Sequence, residues 1–198
     1  MRKLFGMGLA VAVLTAGPAM AADIGVVGLK LIILDKLAAA SKAKMVFVTK
    51  DVAVTKGTGT DASTISAQLD ISGTTGPGSF VMPAGSNWLV NKSTVAKYVN
   101  KPAPSGGAVK VSVVKPTKLV KVVGKSLGDT PVNISAPPAG SVLVVHSITN
   151  GAENNRHCTN FNGCVHKIIA GGGNFKLICK GNSTAATCPA SPSGAFID

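Results

Sequence analysis

The chain is a succession of short Val/Ile/Leu-rich runs separated by Gly, Pro, Ser, Asn and Asp, and that punctuation admits strands and leaves little room for helices. Candidate strands lie at 27–34, 44–49, 64–71, 79–82, 88–90, 95–99, 109–114, 118–123, 132–135, 141–149, 165–169 and 175–180. Two of them alternate apolar and polar residues, Ile65-Ser66-Ala67-Gln68-Leu69-Asp70-Ile71 and Lys110-Val111-Ser112-Val113, as a sheet with one wet face requires. Leu31-Ile32-Ile33-Leu34 and Val142-Leu143-Val144-Val145 are apolar throughout and are expected to be buried on both faces or central in the sheet. The Ala/Lys-rich segment 35–44 favours a helix by propensity, but it is short and sits between two strand-like runs, so it reads as a connecting loop with at most one helical turn. The predicted fold class is all-β, an antiparallel sandwich with a disulfide-clamped C-terminal hairpin.

Leu29-Lys30-Leu31-Ile32-Ile33-Leu34 echoes Val109-Lys110-Val111-Ser112-Val113-Val114, and each is followed by a second Lys-flanked run. The flexible stretch Asn100-Lys101-Pro102-Ala103-Pro104-Ser105-Gly106-Gly107 separates them. This pattern suggests two related β halves, 22–100 and 108–198, packed face to face; a single sheet pair without a repeat is the simpler alternative.

The N-terminus carries an export signature. Arg2 and Lys3 precede a mostly apolar run over 4–16, which ends in Gly17-Pro18-Ala19-Met20-Ala21 with small residues at the two positions a signal peptidase inspects. The run is too short for a stable membrane-spanning helix, which disfavours an anchor. Residues 1–21 are therefore expected to be a signal peptide, with 22–198 secreted to the periplasm or beyond. The 177 residues that remain of 198 suffice for a full hydrophobic core. No later segment has the length and apolarity of a transmembrane helix.

The leader holds two of the 20 basic residues, leaving 18 against eight acids and a net charge of +10. Of those 18, only Arg156 is Arg. Lysine is a hydrated point charge, without the planar fork that grips phosphate or guanine edges, and with 4% aromatics there is little to stack bases on. A dedicated nucleic-acid binder is disfavoured. The lysines also suit a mild, salt-sensitive attraction to anionic envelope polymers such as lipopolysaccharide and acidic polysaccharide, to lipids or to extracellular DNA, beside the plainer reading of lysines as solvated strand faces and edge protection.

Four cysteines fall late: Cys158, Cys164, Cys179 and Cys188. In an oxidising compartment an even number points to disulfides. The runs 165–169 and 175–180 flank Ala170-Gly171-Gly172-Gly173-Asn174, a hairpin turn. Cys164 and Cys179 then face each other, and Cys158 and Cys188 share nearly the same centre, so the expected pairing is nested: Cys164–Cys179 inside, Cys158–Cys188 outside. His157, Cys158, Cys164 and His166 could instead suggest a metal site, but their spacing is not that of a zinc finger, so no metal or cofactor is expected.

Asn155-Arg156-His157-Cys158-Thr159-Asn160-Phe161, the later Cys188-Pro189, the 143–151 strand-turn, the Lys-flanked strands near 29–50 and Trp88 after Pro83-Ala84-Gly85 together resemble a family of secreted all-β bacterial proteins. In that family an Arg-aromatic-Cys segment and a terminal Cys-Pro form paired ends. His157 replaces the usual aromatic residue here, and Cys164 with Cys179 looks like an added bridge. The resemblance implies an all-β fold and no particular activity.

Catalytic constellations are scarce. Glu153 is the only Glu, and the Asp residues are scattered, so paired carboxylates cannot be placed. There is no Gly-x-Ser-x-Gly elbow, and Gly57-Thr58-Gly59-Thr60 and Gly171-Gly172-Gly173 read as hairpin turns, since neither has the ending of a phosphate loop. His146 lies within an apolar run and reads as structural, although a small hydrolase using His146 or His157 is a further alternative. The densest polar stretch holds Glu153, Asn154, Asn155, Arg156 and His157, and is the candidate binding loop; its plainer reading is a polar turn with Glu153 and Arg156 as a surface ion pair. The sequence therefore points to an exported, non-catalytic structural or binding module of the envelope or extracellular space.

Overall fold

The computed structural model describes residues 21–36, 42–91, 94–102, 109–125, 132–151, 153–169 and 173–189. The leader over 1–20, most of the 37–43 connection, the 103–108 connector and the tip of the 170–172 turn lie outside the described residues.

The chain forms two sheets packed as a sandwich. In order, the strands are β1 (Ala21–Gly25), β2 (Gly28–Lys36), β3 (Lys44–Thr49), β4 (Ile65–Ser72), β5 (Gly78–Met82), β6 (Trp88–Asn91), β7 (Val95–Val99), β8 (Val109–Lys115), β9 (Leu119–Lys125), β10 (Val142–Asn150), β11 (Glu153–Phe161), β12 (Val165–Ile169), β13 (Asn174–Lys180) and β14 (Ser183–Ala185). A six-stranded sheet runs β1-β11-β10-β4-β5, with β14 also on β11; an eight-stranded sheet runs β12-β13-β2-β3-β9-β8-β7-β6. Every pairing is antiparallel except that of β1 with β11.

The core lies between the sheets. Leu31, Ile33, Met45, Phe47, Val120 and Val122 of the large sheet meet Leu69, Ile71, Val142, Val144 and Phe161 of the small one, all essentially inaccessible to water. Phe47 and Phe161 meet edge to face across the layers, 6.4 Å between centroids. Trp88 and Tyr98 form a second aromatic pair at 5.2 Å, and the Trp88 indole N–H donates to the Pro83 carbonyl.

Both disulfides have the nested pairing, Cys164–Cys179 and Cys158–Cys188, but they do not close one continuous hairpin. The chain leaves the small sheet after β11, builds β12 and β13 on the large sheet, and returns to the small sheet as β14. The inner bridge closes the β12–β13 hairpin, while the outer bridge fastens the returning chain to β11.

The echoed segments do not make facing layers. The β2–β3 and β8–β9 hairpins lie side by side in one sheet, joined by antiparallel pairing of β3 with β9, with Val46 opposite Val123 and Phe47 opposite Val122. Each sheet draws strands from both 22–100 and 108–198.

Other expectations shift. The run 132–135 is no strand: it contributes a single bridge between Gly76 and Asn133, after which the Asn133 side chain accepts the Ser135 N–H at 2.8 Å and turns the chain. Strand β2 meets the second of its two expectations: it is central in the sheet, between β13 and β3, with Leu31 and Ile33 buried and Ile32 and Leu34 half-exposed. In β10, by contrast, Val145 is 7% exposed on the outward face, because Ala186 and Cys188 lie over it.

The layers approach closely at Gly28, where a Cβ would stand 2.5 Å from the Phe161 ring and 3.0 Å from the Thr159 hydroxyl. Gly28→Ala is expected to lower stability by about 1–3 kcal/mol through overpacking against a buried ring. Urea unfolding at neutral pH tests this, and an unchanged midpoint would contradict it.

Candidate functional site

The candidate loop at Glu153–His157 is not a loop. These residues open β11, which has paired neighbours on both sides: β10 on one, and β1 followed by β14 on the other. Strand alternation sends Asn155 and His157 into the core and Arg156 and Cys158 to the outer face. Glu153 and Arg156, three residues apart, therefore point to opposite faces and do not form the expected ion pair.

Each of the charged groups finds another partner. The Glu153 carboxylate accepts the Thr58 N–H at 3.2 Å and also the Thr58 hydroxyl, and the hydroxyl contact is the main reason its carboxyl is held below the ordinary range. Arg156, 7% exposed, forks onto Asp23 of β1 (Nε–Oδ1 2.7 Å, Nη2–Oδ2 2.6 Å) and donates from Nη1 to the Pro189 carbonyl at 2.8 Å. Its fork is spent on tying β1, β11 and the returning chain together.

The connection between β3 and β4, where Gly57-Thr58-Gly59-Thr60 was expected to be a hairpin turn, instead plugs one end of the sandwich. Lys56 is buried there, and its amine donates to the Gly57 and Gly59 carbonyls at 3.2 and 3.0 Å. Burial pushes that amine's pKa down, and Glu153 partly opposes the shift. Asn150 returns two bonds, from Nδ2 to the Lys56 and Gly59 carbonyls at 2.8 and 2.9 Å.

His146 and His157 are direct cross-strand partners on β10 and β11, 5.7 Å between rings and sealed from solvent. The Thr55 N–H donates to His157 Nε2 at 3.2 Å, which requires a neutral ring. Burial pushes the pKa of His146 down to about 3 and that of His157 down to about 4. His166 is separate, on β12: it stacks on Phe175 and its Nε2 bonds the Ile134 carbonyl at 2.9 Å. Among the described residues no cluster of three His, Cys, Asp or Glu could hold a metal, and all four cysteines are bridged.

The outward face of the eight-stranded sheet is the other chemical feature, and it is open. Pairing registers align Val165, Ile178, Ile32, Val46, Val123, Val111 and Val99 in one row across seven strands, all half-exposed or exposed. At strand spacing the row is about 30 Å long. Lysines flank it on both sides: Lys180, Lys30, Lys121 and Lys97 in one neighbouring row, and Lys167, Lys176, Lys44 and Lys125 in the other. Lys36 and Lys115 bring the outward lysines of these strands to ten, and the eleventh, Lys110, is half-exposed at the β8 bulge. The only carboxylate in the eight strands, Asp35, points inward and is 7% exposed. Burial raises its pKa.

No family model, curated protein or solved structure matches the chain. The described residues contain no helix long and apolar enough to cross a membrane.

The histidine pair makes acid stability predictable. An unfolded His binds its proton near pH 6.5, whereas these folded rings resist it until about 4 and about 3. Their contribution to stability is thus complete above 6.5 and is lost as pH falls toward those values. At about 1.4 kcal/mol per unit, wild type should lose several kcal/mol between pH 7 and pH 4. Urea midpoints at the two pH values should fall steeply for wild type and less for His146→Leu; parallel losses would contradict the assignment.

Proposed function

We propose that this chain is an exported, non-catalytic binding module of the bacterial envelope or extracellular space, and that it holds anionic polymers on the open face of its eight-stranded sheet. One observation carries the reading: ten lysines project from that face and, among the described residues, no carboxylate does. Ordinary surfaces intersperse both signs, whereas a single-sign field concentrates counter-ions and acidic ligands. Lysine point charges on flexible stems suit a polymer of variable charge spacing better than one fixed phosphate geometry.

The export part rests on Arg2-Lys3, the apolar run over 4–16 and the Ala19-Met20-Ala21 exit. Two disulfides and the absence of free cysteine among the described residues suit an oxidising compartment.

Chromatography on heparin and on lipopolysaccharide resin tests the polymer part. Wild type should be retained above physiological salt. Lys30→Gln/Lys121→Gln/Lys125→Gln should elute at clearly lower salt, while Lys42→Gln/Lys101→Gln/Lys118→Gln, an equal charge change in exposed connections, should elute close to wild type. Equal shifts for both triples would mean that bulk charge alone drives retention, and the face would lose its role.

A further inference from the structure

The lysine rows account for attraction to any polyanion, but they leave the aliphatic row between them unexplained. A nucleic acid or acidic polysaccharide chain presents charge and hydroxyls, and would lay polar groups against about 30 Å of Val and Ile. A second copy of this chain would set lysine against lysine. The geometry points to one occupant that satisfies both features: the surface of a bilayer containing anionic phospholipid, with the open face of the eight-stranded sheet lying flat on it. This deepens the polyanion reading and rests on it.

The match is one of layers. A peripheral protein on a bilayer meets phosphates first and acyl carbon some 5–10 Å deeper. Here Ile32, Val46, Val123 and Val111 form an apolar centre, and the alkyl stems of lysines on both sides widen it. Their amines bend back along the face to the phosphates on either side of the row, each attracted by about 1 kcal/mol near an anionic leaflet. Headgroups are mobile, so point-charge amines serve without fixed bidentate geometry. The row continues to the sheet edge at Val165, 50% exposed, so nothing among the described residues covers it. The outer face of the small sheet offers no such surface. It carries Ser66, Gln68, Asp70 and Ser72 on β4, and over β10 and β11 it is roofed by the returning chain.

Vesicle flotation separates this proposal from the reading beneath it. The full mature chain is mixed with vesicles of phosphatidylcholine alone, or of equal parts phosphatidylcholine and phosphatidylglycerol, in physiological salt. Wild type should float only with the anionic vesicles. Ile32→Thr/Val111→Thr/Val123→Thr keeps the charges and close to the original shapes; it should lose vesicle partitioning by about tenfold or more while eluting from heparin with wild type, and an unchanged urea midpoint and strand circular dichroism report its intact fold. Lys30→Gln/Lys121→Gln/Lys125→Gln should lose both. Flotation of the threonine variant equal to wild type would overturn the lipid proposal, as would failure of wild type to float; if heparin retention persists in either case, the polyanion reading survives alone.

Discussion

Cys158 is where the architecture is tied. Its carbonyl accepts both the Val26 N–H at 2.9 Å and the Ala186 N–H at 3.2 Å, and its sulfur is bonded to Cys188. On one edge of β11, therefore, the chain just after β1 and the chain just after β14 meet at a single residue. Two residues earlier, Arg156 joins the same partners through Asp23 and Pro189. A strand composed of Glu-Asn-Asn-Arg-His-Cys-Thr-Asn-Phe has little apolar area with which to offset its ordering entropy. A covalent loop closure of this size contributes about 2–4 kcal/mol, and the buried guanidinium bonds add to it.

The same clasp explains why the two sheets have different outer faces. The returning chain roofs β10 and β11, so the small sheet is covered on both sides where its strands are most central. Among the described residues nothing covers the outward face of the large sheet. Its inner face builds the core, and its outer face keeps a half-exposed aliphatic row that lysines hold soluble. Structural economy and the proposed binding role thus come from one asymmetry in where the last residues of the fold run.

Much of this was legible in the residues. The bounds of β3, β7 and β12 follow from apolar runs ending at Gly, Lys, Asn or a turn, and the nested cysteines follow from the constant sum of positions in antiparallel pairing. The strand β11 was hidden because polarity reads as loop: its inward His157 and Asn155 are compatible with burial only because β10 and the 50–64 connection come over them. One signal was present. Pairing Cys158 with Cys188 already required the chain before Cys164 to run alongside the chain after Cys179. Strand β1 was invisible because its partner lies more than a hundred residues away and runs parallel. The apolar runs Leu31–Leu34 and Val142–Val145 leave two readings open, burial on both faces or a central place in the sheet, because composition cannot say whether a second layer arrives; β10 combines the two, and β2 takes the second, between β13 and β3. The lysine rows likewise needed registers that place residues from seven strands side by side.

The central claim is that a polar segment, clasped through Cys158, is an interior strand on which the fold depends. Native-state hydrogen exchange reads it directly, residue by residue. The account predicts that the amides of Asn155 to Phe161 exchange as slowly as those of β10, and that reduction of the disulfides accelerates them more than those of β3 and β9. Fast exchange at Asn155 to Phe161 in the oxidised protein, at the rate of an exposed loop, would contradict it.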